Sequence, residues 1–175
     1  MIGPGVDIRR WIRAVAAAVV VAFAQGIAFA APPAPVQVNP FHDPFEQVTH
    51  GLPGCPAPRP PTYTASELRE AEHRRVERGN SCYLAGKCRY SNSFLYDSGI
   101  AAALAPALRA DPWLRGTSVW ILVQGRFVQV FGCVSRPGQI RRLEAAARRT
   151  RDVQAVLPIV MQGTTGKPPY ATTAP

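Results

Sequence analysis

The ten residues from Gly125 to Val134, GRFVQVFGCV, constrain the fold more than any other segment of the chain. Their β-branched and aromatic content reads as a strand, and side chains on a strand alternate between two faces. Val128, Val130 and Val134 fall on one face, while Phe127, Phe131 and Cys133 fall on the other. Both faces need cover, and one of them carries a thiol.

The residues around this strand follow a regular plan from Asp97 to Gly163. DSGIAAALAPALRADPWL places Ile100, Leu104 and Leu108 at helical spacing, with Asp97 or Ser98 as cap and Pro106 expected to kink the helix. TSVWILVQG and RFVQVFGCV meet near Gln124-Gly125 and predict a hairpin whose register is open by one residue. SRPGQIRRLEAAARRTRDV is a second amphipathic helix with Ile140, Leu143 and Ala147 inward. VQAVLPIVM is a third strand, and Pro158 disfavours a central place for it.

The residues before this plan have a different composition. Ten of the eighteen prolines lie between Pro32 and Pro61, which rules out a helix or an interior strand there. Residues 31–63 are therefore an extended arm, with Phe41, Phe45, Val48 and Leu52 as apolar anchors. In residues 64–96 a short helix, TASELREAEHRRVERG, starts at a Thr64/Glu67 capping box and stops at Gly79. Its stripe of Leu68, Ala71 and Val76 is thin, which predicts a surface helix with modest docking. A loop between Cys82 and Cys88 follows, flanked by Tyr83, Tyr90, Phe94 and Tyr96. Residues 164–175, TTGKPPYATTAP, are polar and proline-containing, which predicts disorder.

Arg9, Arg10 and Arg13, the apolar run Ala14 to Ala24 and the small-residue site Ala28-Phe29-Ala30 have the order of a secretory signal peptide, residues 1–30. Eleven apolar residues are too few to span a bilayer, so the reading is cleavage after Ala30 and export, to the periplasm; a retained anchor running on to Ala34 is the alternative. Cleavage takes the formal charge from +9 to +7, because Asp7 leaves with the three arginines. A basic exported chain is attracted to polyanions such as phospholipid head groups. Cys55, Cys82, Cys88 and Cys133 read as two disulfides with three possible pairings. The short loop favours Cys82 with Cys88, leaving Cys55 with Cys133, and the other two pairings stay open.

Helix, strand, strand, helix, strand over residues 97–163 resembles the BON domain, a module of bacterial envelope proteins named from osmotic-stress and nodulation proteins. The resemblance rests on ALRADPWL ending the first helix and on FVQVFGCV. The latter follows the family's V-x-L-x-G-x-V strand through Val128, Val130, Gly132 and Val134, and DVQAV opens the last strand. Asp152 stands where a glycine commonly precedes the last strand, Pro106 interrupts the first helix, and one module stands where tandem copies are frequent. The resemblance implies an α+β fold: a three-stranded mixed sheet with two helices on one face. It also implies an envelope location and contact with phospholipid or support of envelope integrity, without catalysis or a cofactor. With both helices on one face, the other face carries Phe127, Phe131 and Cys133. The irregular, disulfide-tied N-terminal extension, Phe41 to Tyr96, is expected to wrap over it.

Chemistry-bearing constellations are sparse. The cysteines and His42, His50 and His73 lack the C-x-x-C or paired-histidine spacing of a metal site. No phosphate loop, nucleophile elbow or carboxylate pair appears. The strongest candidate is a lipid-contacting row. Arg141 with Arg148, and Arg142 with Arg149, stand seven apart along the second helix, opposite Ile140 and Leu143. Trp113 with Leu114 reads as an interfacial wedge beside them, or else Trp113 caps the core. Solvation alone would also account for the arginines. The partner is therefore anionic phospholipid or, failing that, an envelope protein to which this module serves as scaffold; nucleic acid is not expected.

Overall fold

The computed structural model describes residues 35–173. The signal-peptide reading falls on residues outside those described. In chain order the described residues form β1 (Val36–Val38), β2 (Phe45–His50), β3 (Thr62–Thr64), α1 (Ala65–Glu77), the short α2 (Asn80–Leu84) and a 3-10 turn at Ser93–Tyr96. There follow α3 (Asp97–Ala110), a 3-10 turn at Pro112–Leu114, β4 (Thr117–Gln124), β5 (Phe127–Val134), α4 (Pro137–Arg149) and β6 (Ala155–Gln162).

The protein is a mixed α+β fold built on a mixed sheet of order β2-β4-β5-β6. β4 pairs antiparallel with β5, β5 pairs parallel with β6, and the proline-bearing β6 takes an edge. The sheet has four strands where the sequence predicts three. The extra strand, β2, is the hexapeptide FEQVTH between Pro44 and Pro53, which keeps its backbone donors and pairs antiparallel with β4 as the opposite edge.

One sheet face carries Val119, Ile121, Val123, Val128 and Val130, all inaccessible to solvent, and α3 and α4 pack on it. Ile100, Leu104 and Leu108 from α3 and Leu143 and Ala147 from α4 complete this core at the predicted spacing, with Ile140 half-buried at its margin. α3 runs through Pro106, which sits on its exposed side.

The hairpin turn is Gly125-Arg126, with φ of 59° and 71°. A two-residue type I′ turn needs positive φ at both positions, and arginine does not favour it. Asp97 supplies the compensation. Its Oδ2 accepts the Gly125 N–H at 2.6 Å and its Oδ1 accepts the Arg126 N–H at 2.7 Å. The carboxylate expected to cap α3 instead fastens the hairpin to the start of that helix.

Burial at 3% exposure pushes the Asp97 carboxyl up to about 6, against the two N–H donors and Arg75, which draw it down; Asp43 adds a smaller push upward. The folded pKa thus lies above the free value of 3.8, and the fold favours the protonated form. The stability this group contributes is complete below the free value and is lost as pH rises through about 6, a change of about 3 kcal/mol. Asp97→Asn removes the titration. Urea unfolding of both proteins is expected to show the wild type losing about 3 kcal/mol relative to the variant between about pH 3.5 and about pH 7. A difference independent of pH would show that the carboxyl is not buried against the turn.

Cover of the second face comes from three segments. Cys133 is fully buried and bonded to Cys55 of the arm, and Cys82 is bonded to Cys88. Tyr170 of the tail packs edge-on against Phe131 at 5.9 Å, and its hydroxyl donates to the Pro56 carbonyl at 2.9 Å. The tail through Thr173 is thus part of the cover, contrary to the expected disorder. The Arg59 N–H donates to the Ala171 carbonyl, the Thr173 N–H to the Ala57 carbonyl, and Pro58 bridges Thr172. Two stretches too rich in proline and polar residues for a core of their own satisfy each other's backbone groups.

The third cover is α1, whose Thr64/Glu67 capping box and Gly79 stop, at φ 99°, form as predicted. Its docking does not follow the apolar stripe, because Val76 is 68% exposed and Ala71 is the helix's buried residue. Arg75 docks it. The guanidinium lies 3.8 Å from the Phe41 ring centroid and 4.0 Å from that of Phe94, and it pairs with the buried Asp43. Gln124 donates to the same carboxylate at 2.6 Å. An arginine between two aromatic faces, with its charge matched, replaces the row of leucines that usually seats a helix.

Candidate functional site

The turn at Pro112–Leu114 separates two neighbouring residues. Leu114 is fully buried in the core, so it is no part of a membrane wedge. Trp113 is 57% exposed, so it does not cap the core either. Its backbone is held on both sides. The N–H donates to Asp111 Oδ1 at 3.0 Å, and the carbonyl accepts Gln139 Nε2 at 2.9 Å. Gln139 is itself fully buried, its oxygen accepting the Ser135 and Arg136 N–H groups. A chain of satisfied hydrogen bonds thus runs from the β5–α4 loop to the turn and presents an indole to solvent, with the Arg136 guanidinium 5.4 Å from its ring centroid.

All four predicted arginines lie on the exposed side of α4. They do not form a uniform row. Arg142 Nε donates to Asp111 Oδ2 at 2.6 Å, and Arg148 pairs with Glu144 at 2.7 Å. Arg141 and Arg149 have no ion pair among the described residues. The hydrogen bond from Arg142, then that from the Trp113 N–H, hold Asp111 below the usual carboxylate range against its partial burial. Asp111 thus stays ionised, capping the turn and anchoring Arg142. The four arginines of α4 less Glu144 and Asp111 leave a formal +2, and Arg136 beside Trp113 brings this group to +3.

Between the C-terminal end of α3 and α4 runs an open groove of about 430 Å³. Ala107, Ala110, Pro112 and Ala146 give it an apolar floor, and Arg142 and Arg149 stand at its rim. The small side chains arise from the sequences ALRADP and EAAARR, where alanines let the two helices approach without filling the space above them. Apolar floor and basic rim adjoin, at Pro112, the turn that carries the exposed indole. No sequence pattern pointed to the groove, because its alanines read as ordinary helix formers.

Among the described residues no three histidine, cysteine or acidic side chains converge as metal ligands. None of their helices is long and apolar enough to cross a membrane. Comparison with family models, curated proteins and solved structures finds no match for the chain.

Proposed function

We propose that this is a non-catalytic exported envelope protein. In this reading a single BON-like module, residues 97–163, makes weak contacts with anionic phospholipid, and its N-terminal extension and tail clasp the other face of the sheet. The observation that carries the proposal is the exposed Trp113 on a hydrogen-bonded turn beside a groove rimmed by Arg142 and Arg149. An indole is suited to the interfacial layer of a bilayer, and the excess of guanidinium draws that side toward phosphate. The order of elements from α3 to β6 and the packing of α3 and α4 on one face support the BON-like reading. The two disulfides and the tripartite N-terminal sequence support export.

Flotation of the oxidised, exported protein with neutral and anionic vesicles at two salt concentrations tests this. Co-flotation is expected with anionic vesicles at low salt only, because exposed charges are screened as ionic strength rises. Arg141→Glu with Arg149→Glu is expected to abolish it, and Trp113→Ala to weaken it several-fold, while thermal unfolding stays within a few degrees of wild type. Flotation insensitive to these changes, or absent throughout, would sink the lipid reading.

A second reading, a protein-interaction or scaffold module, has its own observation. β6 is an edge strand without a charged residue, and its Leu157 is 46% exposed. Such an edge can accept a further strand, and apolar pairing there would persist at high salt.

A further inference from the structure

On the other face of the sheet, away from α4, a second cleft opens between α1 and the strands. Its volume is about 440 Å³, within the usual range of small-molecule sites. The cleft exists because of how α1 docks. One arginine and one alanine seat the helix, so no large apolar side chain projects from it to fill the space above Phe127 and Gln129.

Three guanidiniums line the helix side, Arg74, Arg75 and Arg78. Arg75 is matched by Asp43, and Arg74 by Glu70 at 2.9 Å. Arg78 has no carboxylate partner among the described residues and lies 4.5 Å from the centroid of the Phe127 ring. The formal balance of these five groups is +1. Beneath and beside Arg78 the cleft is apolar and aromatic, with Phe127 under the guanidinium and Phe94 and the half-exposed Leu157 also lining it, and Gln129 adds an amide. One unmatched cation above an apolar floor suits a single negative charge on an apolar body. A polyanion would meet Asp43 and Glu70 beside the arginines, and a neutral apolar molecule would leave Arg78 unmatched.

We propose that this cleft is a binding site for small organic monoanions: one carboxylate or sulfonate, held by Arg78, on a flat aryl or short acyl body resting on Phe94, Phe127 and Leu157. The site lies on the face opposite the α4 arginines and does not depend on the lipid reading.

The test uses the ¹⁵N-labelled oxidised protein, titrated with naphthalene-1-sulfonate and, separately, with naphthalene-1-methanol, a neutral molecule of similar body. Saturable amide shifts are expected at Phe94, Gln129 and Leu157 with the sulfonate, at least tenfold weaker binding of the alcohol, and about a tenfold loss of sulfonate affinity in Arg78→Gln. Arg78 is exposed, so the variant should keep its amide spectrum away from the cleft. A Phe127→Leu variant tests the floor independently and should weaken the sulfonate several-fold. No saturable shift, equal binding of the alcohol, indifference to Arg78→Gln, or shifts confined to Ala146 and Arg149 would each overturn the proposal.

Discussion

Gly132→Ala is expected to remove more than about 4 kcal/mol of stability, so that the variant is recovered largely unfolded or aggregated. A Cβ built on Gly132 would lie 2.1 Å from the Ser118 carbonyl oxygen and 2.9 Å from Val119 Cα. Both are backbone atoms of β4, and neither can withdraw without breaking the register in which Val119 faces Gly132 and Ser118 faces Cys133. The residue also has φ of 122°, a conformation that side-chain-bearing residues rarely adopt. Strain and collision thus act together on the central pair of strands, the ones that place both the valine core and Cys133. Gly138→Ala is the control. A Cβ there meets nothing within 4 Å, and the site is in the first turn of α4, so stability should hold or rise by about 0.5 kcal/mol. Urea unfolding of both variants decides the matter. A Gly132→Ala protein as stable as wild type would mean that the two strands do not approach as closely as described.

The same glycine shows what a sequence can and cannot disclose. Gly132 is recognisable as part of a strand pattern, but its reason, the approach of the β4 backbone, exists only once the strands are paired. The valine face and the two amphipathic helices were legible because their period is local. Ile100, Leu104 and Leu108 needed only 3.6-residue spacing to be assigned inward. Asp97 and Arg75, by contrast, act across distance. Asp97 looked like a helix cap because it stands at a helix start, yet its carboxylate serves a turn 28 residues onward. Nothing in the sequence singles out Arg75 from its charge-rich helix, and only the meeting of Phe41, Phe94 and Asp43 makes it a docking residue. Of the candidate site, the arginine row was legible from its seven-residue spacing. Its partial neutralisation was not, because Asp111 lies 31 residues from Arg142. Trp113 and Leu114 are adjacent in sequence, and only the 3-10 turn sends one outward and the other into the core.

Replacing both Cys55 and Cys133 with serine should lower stability by about 4 kcal/mol and the unfolding temperature by roughly 15 °C. The bond closes a span of 78 residues, so breaking it returns a large loop entropy to the unfolded chain. Replacing Cys82 and Cys88, whose separation is 6, should cost about 2 kcal/mol by the same reasoning. Entropy is only part of the expectation, because the long-range bond also fixes the arm over the sheet. Arm and tail hold each other through the Arg59 and Thr173 N–H groups and Tyr170, and the arm's tie to β5 through Cys133 lets that assembly shield Phe131. Once the bond is absent, arm and tail should open together while the valine core stays closed. Hydrogen exchange separates these events. The Arg59 and Thr173 amides should exchange at least tenfold faster in the double-serine variant, beyond any change at Val128 and Val130, which lie in β5 between β4 and β6. Uniform acceleration at all four amides would show that the cover and the module open as a single cooperative unit. Unchanged exchange at Arg59 and Thr173 would show that the backbone pairing of arm and tail holds the cover without the disulfide.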